Sequence, residues 1–135
     1  MKSSVVSYSF RLLPGQDLRA ELFRYAKENQ LKAATVISAV GSLSEAYLRL
    51  ADQRQATRFQ GPYEIVSLTG TLGGDTLHMH LAISDGFGVT VGGHLQSGCI
   101  VHTTCELVLI ESVDLVYRRE PDTKTGYNEL VISSR

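Results

Sequence analysis

The sequence predicts an α+β domain, in which a mainly antiparallel β-sheet packs against one main helix. One segment near the N-terminus has helical periodicity, whereas roughly six to eight other segments are rich in β-branched and aromatic residues. A chain of 135 residues with 43% hydrophobic and 20% charged residues is typical of one globular domain. We therefore predict a single domain over residues 1–135, with its core at about 5–118 and a polar C-terminal extension.

The first strand and the helix are separated by a turn at Pro14-Gly15. Residues 5–13 alternate in part between apolar and polar side chains, as a β-strand does. Asp17 is a candidate helix N-cap, and apolar residues then recur at helical spacing up to about Gln30. This apolar stripe predicts a helix that packs on the sheet. Its members are Leu18, Leu22, Tyr25 and Ala26.

The rest of the chain predicts strands separated by turns. An apolar run over 33–40 and an alternating run over 45–50 predict two strands with a break at Gly41. Residues 51–60 are polar and lack periodicity, which predicts a loop that ends near Gly61-Pro62. Further strands are predicted at 63–72, at 76–84, at 89–95, within 100–117 as one or two strands, and at 130–132.

Charge and composition limit the classes of function. The chain has 13 basic and 14 acidic residues, whereas a domain that holds duplex DNA by itself usually carries a basic excess. There is no signal-peptide pattern and no apolar run of the roughly 20 residues that span a bilayer. Cys99 and Cys105 have no CxxC spacing, and Cys105 is predicted to be a small core residue. We therefore expect a cytoplasmic protein that does not contact membranes.

A histidine cluster is the feature that most resembles a functional site. Three of the four histidines, His78, His80 and His94, lie within 17 positions. Residues two apart in a strand point to the same face, so His78 and His80 are predicted to face the same way. Because neutral imidazole is the commonest metal ligand in proteins, a metal site is one hypothesis for this pair, although a single HxH motif is a weak signal. The alternative is that these histidines are partly buried and bond backbone groups.

Whether His94 joins the other two histidines depends on the turn of the predicted hairpin. A two-residue turn at Gly86-Phe87 would place His94 on the opposite face of the sheet. An odd-length loop, or a bulge at Gly92-Gly93, would bring the three imidazoles to one face. The sequence leaves both arrangements open.

Other candidate residues carry weaker signals. Arg11 in the first strand could anchor a carboxylate or phosphate, although an exposed strand arginine is the simpler interpretation. Glu64 and Glu106 are candidate proton carriers without a diagnostic partner. His102 shares strand parity with Glu106, which predicts either a second small pair or a solvated face. The chain has no GxGxxG sequence before the helix, no Walker lysine and no GxSxG sequence.

Six short motifs together resemble the PPC domain, the "plant and prokaryote conserved" domain. They occur in the family's order and approximate spacing and cover roughly residues 5 to 118. The motifs are Leu12-Leu13-Pro14-Gly15, Ala39-Val40-Gly41-Ser42-Leu43, the segment from Gly61 to Gly70, Leu77-His78-Met79-His80, Gly92-Gly93-His94-Leu95 and Thr103-Thr104-Cys105-Glu106.

The resemblance implies a compact domain that assembles as a homotrimer. In plants the domain follows AT-hook motifs in nuclear proteins and mediates self-association and contact with transcription factors. Prokaryotic members are single domains that are often labelled DNA-binding by that link, and some look metal-containing, with histidines at the positions of His78, His80 and His94. This chain keeps the three histidines but has no AT-hook, and it has Pro62 and Tyr63 where plant members have an arginine and a phenylalanine.

These observations lead to three hypotheses. The first is a homotrimeric regulatory or interaction module with a DNA or protein partner, whose three histidines bind a divalent metal, zinc above all. The second is a metal-dependent enzyme acting on a small molecule, with Arg11 as anion anchor and Glu64 or Glu106 as proton carrier. The third is direct binding to DNA.

Overall fold

Eight β-strands and one helix make up the computed structural model, which describes residues 1–135. Every strand pairing is antiparallel. The predicted mainly antiparallel sheet with one helix is therefore confirmed. The elements are β1 Val5–Leu12, α1 Leu18–Glu28, β2 Ala34–Arg49, β3 Ala56–Gly73, β4 Thr76–Ser84, β5 Thr90–Leu95, β6 Ile100–Ser112, β7 Leu115–Pro121 and β8 Asn128–Ser134.

Six strands form one sheet in the order β1-β6-β2-β3-β4-β5. β5 also pairs with the end of β2, through Leu48 opposite Leu95 and Arg49 opposite His94. Strands β2 to β5 therefore close into a ring, because β2 is long enough to meet β6 at one end and β5 at the other. This closure brings the C-terminal end of β2 beside one of the candidate metal ligands.

The helix forms where the sequence predicts it and packs on the interior face of the sheet. The Asp17 carboxylate accepts hydrogen bonds from the backbone N–H groups of Arg19 and Ala20, at 2.9 and 3.0 Å. The buried side chains of α1 join a hydrophobic core of 22 residues. At 11 residues the helix is too short to cross a bilayer, and no helix of the chain meets the length and hydropathy of a membrane span.

Two predicted boundaries are wrong, and both errors involve glycine. Residues 33–40 and 45–50 belong to one 16-residue strand, β2, which continues through Gly41. A Cβ on Gly41 would collide with the Thr104 carbonyl, so the glycine allows β6 to approach closely and does not end the strand. Similarly, β3 begins at Ala56, inside the predicted loop over 51–60, and continues through Gly61-Pro62.

The C-terminal part forms more regular structure than the sequence predicts. Residues 100–117 form two strands. β7 extends to Pro121, into the segment that the sequence predicts to be a polar C-terminal extension. The predicted short strand at 130–132 is the centre of the seven-residue β8, which pairs with β7. A backbone hydrogen bond from Tyr117 N–H to Lys32 O (2.9 Å) attaches this β7–β8 hairpin to the segment between α1 and β2.

Candidate metal centre

The register of the β4–β5 hairpin brings the three histidines together. His80 lies directly opposite His94, and the ladder runs without interruption from that pair to Ser84 opposite Thr90. The connecting turn, residues 85–89, therefore has an odd number of residues, and Gly92-Gly93 forms no bulge. Of the arrangements that the sequence leaves open, the structure adopts the odd-length loop.

The three imidazoles are close enough to act on one ion. His78 Nε2 lies 3.2 Å from His94 Nδ1, and the ring centroids of His80 and His94 are 4.5 Å apart. One ligand nitrogen from each of the three rings lies within 4.8 Å of the other two. Met79, between the two β4 histidines, is 2% exposed and belongs to the core. The pleat of β4 thus separates a core face from a face that carries the histidines.

The surroundings of His78 and His94 favour the neutral form of each imidazole. Burial lowers the pKa of His78, and the positive charge of Arg119 and the electrostatic interaction with His80 lower it further. Burial also lowers the pKa of His94, with a further contribution from Arg49 and from the other two histidines. Since a metal binds the neutral ring, the environment favours the protonation state that ligation needs.

One pair of nitrogens in the cluster has the spacing that a tetrahedral metal ion requires. Two nitrogens that each lie about 2.0–2.1 Å from a tetrahedral zinc are about 3.3 Å apart, and the observed separation of His78 Nε2 and His94 Nδ1 is 3.2 Å. A ring nitrogen of His80 lies within 4.8 Å of the other two, so the three histidines could hold a metal ion, and no carboxylate belongs to the cluster. Three histidines without a fourth protein ligand are the set that leaves one coordination position open.

A cleft of about 830 Å³ adjoins the cluster. Its lining includes His78 and His94 together with residues of α1, of the β2–β3 turn and of the β7–β8 hairpin. A second cleft, of about 370 Å³, is lined by His80, His94 and Arg49. His94 and Arg49 therefore line both clefts, whereas His78 lines only the larger cleft and His80 only the smaller one.

Two arginines in this region, Arg49 and Arg119, were not among the residues singled out from the sequence. Arg49 lies opposite His94 in the short β2–β5 pairing. Arg119, on β7, donates from Nη2 to Thr71 Oγ1 at 3.3 Å, and Thr71 lies opposite His78 in the β3–β4 ladder. Both placements depend on strand contacts between distant parts of the chain, so no local pattern in the sequence could have identified them.

The structure places the other candidate residues away from the histidines. Arg11 and Glu106 face each other as a pair between β1 and β6, and both are exposed. Glu64 lies opposite Ser84, which is four residues from His80 along β4, or about 13 Å at 3.3 Å per residue. None of the three lines either cleft. His102 is exposed, in agreement with a solvated strand face.

Both cysteines are buried thiols outside the histidine cluster. Burial raises the pKa of Cys105 to about 12 and that of Cys99 to about 11. Neither residue is exposed, and both belong to the hydrophobic core. The prediction that Cys105 is a small core residue is confirmed.

Comparison with known proteins identifies the family. The sequence profile of the Plants and Prokaryotes Conserved (PCC) domain matches residues 2–113. The chain belongs to this family. The match ends before the β7–β8 hairpin, so the hairpin and its Arg119 lie outside the part of the PCC domain that the profile describes.

Relatives with this domain occur within larger proteins and as solved single domains. Two Synechococcus proteins, each named bifunctional protein GlmU, are 51% and 49% identical over 125 and 129 residues. Those matches cover 93% and 96% of this chain, which spans about a fifth (20%) of each relative. A hypothetical protein from Salmonella, 44% identical, superposes with a TM-score of 0.98 over 100% of this chain and 98% of its own.

Two further structures carry functional descriptions. A metal-containing protein from Archaeoglobus fulgidus is 25% identical, with a TM-score of 0.81 and 96% of each chain covered. A candidate DNA-binding protein from Bacteroides thetaiotaomicron is 20% identical, with a TM-score of 0.81 over 97% of this chain and 98% of its own. The second likeness shows the fold alone.

Proposed function

We propose that this PCC-domain protein is a homotrimeric regulatory or interaction module that binds a divalent metal, zinc above all, through His78, His80 and His94. The observation that carries the metal site is the 3.2 Å separation of two ligand nitrogens, with a third imidazole beside them. The description of the Archaeoglobus protein as metal-containing supports metal binding by a protein of this fold. In this role the ion ties β4 to β5 and stabilises the edge of the sheet.

Metal analysis of protein purified without a histidine tag tests this site. We expect about one zinc per chain after supplementation, and a lower midpoint of thermal unfolding when a chelator removes it. A metal-free protein after supplementation, with a midpoint that the chelator does not change, would contradict the proposal.

The outer face of the sheet supports self-association. Ile37, Val40 and Val66 lie on the adjacent strands β2 and β3 and are 57%, 59% and 56% exposed. Exposed apolar side chains on neighbouring strands are typical of an interaction surface, and a second copy of the chain offers the matching apolar side chains.

Sedimentation equilibrium distinguishes the oligomeric states. We expect the mass of a trimer for the native protein and a smaller mass for Val66→Glu. Val89→Glu is the matched control, because Val89 is 60% exposed but lies in the β4–β5 turn. A native protein that stays monomeric at about 100 μM, a concentration at which specific interfaces form, would contradict the trimer.

The 830 Å³ cleft favours a second candidate function, an enzyme acting on a small molecule. A bound divalent ion would supply Lewis acidity at the open coordination position. The chain's own residues would hold the substrate in the cleft and exclude water around it. Hydrolysis of p-nitrophenyl acetate and p-nitrophenyl phosphate by the native protein, but not by His94→Gln, would support this function; equal rates would count against it.

Direct binding to DNA has the weakest support. The net charge is −1. The two structures described as DNA-binding are 20% and 23% identical to this chain in sequence, and a likeness at that level shows the fold alone. Fluorescence anisotropy with a labelled 30-base-pair duplex tests it, because even non-specific contacts persist at about 50 mM salt. We expect no binding under those conditions.

A further inference from the structure

Arg49 and Arg119 are each positioned beside one histidine of the cluster. Arg49 ends β2 directly opposite His94, and Arg119 is held by Thr71, the residue opposite His78. Both arginines line the 830 Å³ cleft together with these two histidines. Two guanidinium groups from distant parts of the chain therefore converge on one side of the metal centre.

Neither guanidinium has a close ionic partner in the protein. The nearest carboxylate to Arg119 is that of Glu129, at 4.0 Å, although the Arg119 side chain is only 15% exposed. Arg49 donates to the backbone carbonyl of Gln53 at 3.3 Å and forms no ion pair. A guanidinium that is partly or largely removed from water and has no carboxylate within hydrogen-bonding distance is not charge-compensated, so a bound anion would stabilise it.

The rest of the cleft does not balance these charges. Its lining also contains Arg19 and Arg54, against the acidic residues Asp52, Asp75 and Glu129. Asp52 and Asp75 are exposed and form no ion pair with any arginine of the cleft. The lining of the cleft therefore carries four arginines against three carboxylates, an excess of one positive charge.

Metal binding would increase this positive charge. Three neutral imidazoles contribute no negative charge, so a divalent ion keeps its full charge beside two guanidinium groups that repel it. An external anion that contacts both the ion and the arginines removes this repulsion. The planar guanidinium of arginine presents pairs of N–H donors that can bind two oxygens of a carboxylate or phosphate at once.

We propose that Arg49 and Arg119 form an anion subsite that holds the carboxylate or phosphate group of a small molecule against the metal centre. The metal part of this inference rests on the proposed function above. The volume of the cleft lies within the range of about 300–1,000 Å³ that is typical of small-molecule sites. The two arginines would act as positioning residues, because they would hold an anionic group of the ligand beside the metal centre.

Isothermal titration of inorganic phosphate, and separately of acetate, into zinc-loaded and desalted protein tests the subsite. The two titrants distinguish a phosphate ligand from a carboxylate ligand. We expect one of them to bind, and Arg119→Gln and Arg49→Gln each to raise its Kd by about tenfold or more, since each removes a charge-assisted hydrogen bond. Arg119→Lys keeps the positive charge but loses the paired N–H donors of the guanidinium, so its Kd should lie between those of the native protein and Arg119→Gln.

Arg118→Gln is the matched control, because Arg118 is the neighbouring arginine on β7, is exposed and does not line the cleft. It removes the same charge, so its Kd should stay within about twofold of the native value. Equal Kd values for Arg118→Gln and Arg119→Gln, or no binding of either anion up to about 10 mM, would overturn the subsite.

The same titration on metal-free protein separates this inference from the proposed metal site. Arginine-dependent anion binding by a protein that takes up no zinc would support the subsite and contradict the metal centre. Zinc binding with anion affinities that do not depend on Arg49 or Arg119 would support the metal centre and overturn the subsite.

Discussion

His80 and His94 face each other as a directly opposed pair of the β4–β5 hairpin, with ring centroids 4.5 Å apart. The turn that sets this register contains none of the candidate ligands. Within it, the Asp85 carboxylate accepts hydrogen bonds from the backbone N–H groups of Phe87 and Val89, both at 2.9 Å. The geometry of the histidine cluster therefore depends on the conformation of a turn outside it.

Replacing Asp85 should loosen this turn. Asp85→Ala removes an acceptor for two backbone donors, and we expect it to lower the free energy of unfolding by about 1–2 kcal/mol. Asp85→Asn retains one side-chain oxygen and should cost less than half as much. Urea titration of both variants measures the difference. Equal midpoints for Asp85→Ala and the native protein would show that the hydrogen bonds of Asp85 do not stabilise the turn.

The lowered pKa values of two histidines predict how the stability of the metal-free protein depends on pH. The folded-state pKa of His78 and of His94 lies below the ordinary value of about 6.5, so the unfolded chain takes up protons that the folded chain does not. Stability should therefore be greatest above about pH 6.5 and should decrease as the pH falls below it.

Urea midpoints between pH 7.5 and 5.5, measured in chelator, test this dependence. We expect His78→Gln and His94→Gln to flatten the decrease, because each removes one of the groups that titrate. His102→Gln is the control, because His102 is exposed and lies outside the cluster. A slope that is the same in all four proteins would contradict the assignment.

Gly41 is predicted to tolerate no side chain. A Cβ at this position would collide with the backbone of Thr104 and Cys105 on β6, and the φ angle of +156° is unfavourable for other residues. We expect Gly41→Ala to lower the free energy of unfolding by about 3 kcal/mol, because the backbone of one strand must shift. Gly86→Ala is the control, since nothing lies within 4 Å of its Cβ position. Similar unfolding midpoints for the two variants would refute this interpretation of β2.

The two thiols are predicted to be unreactive in the folded protein. Burial raises the pKa of Cys99 to about 11 and that of Cys105 to about 12, so almost no thiolate exists at pH 8. We expect no labelling by Ellman's reagent over an hour in the native state, and two thiols per chain in about 6 M guanidinium chloride, which unfolds typical domains. Rapid labelling of the native protein would mean that one of them is accessible.

The sequence predicts most of the fold because periodicity is a local signal. The helix was recognisable from Asp17 and the apolar stripe behind it, and the β4–β5 hairpin from alternation around a glycine-rich turn. Glycine caused the principal error, because the same residue marks a turn in one context and a close approach of strands in another. Only the position of Thr104 on β6 shows which of these applies at Gly41.

The candidate site could be predicted only in part. The spacing of His78 and His80 indicates that they share a face of the sheet. The face on which His94 lies depends on how many residues the β4–β5 turn contains, which the sequence does not determine. Arg49 and Arg119 reach the cluster through pairings of β2 with β5 and contacts of β7 with β3, which join residues far apart in the chain. Arg11, which the sequence offers as a candidate anion anchor, lies opposite Glu106 in the β1–β6 ladder, on another part of the sheet.

The affinity for zinc, measured by competition with a chromogenic chelator on tag-free protein, tests the central claim most directly. We expect one site per chain in the native protein and in His102→Gln. His94→Gln should bind at least 100-fold more weakly, since the loss of one of three ligands leaves a pair that holds zinc poorly. Equal affinities of His94→Gln and His102→Gln, or no zinc site in the native protein, would contradict a metal centre at His78, His80 and His94.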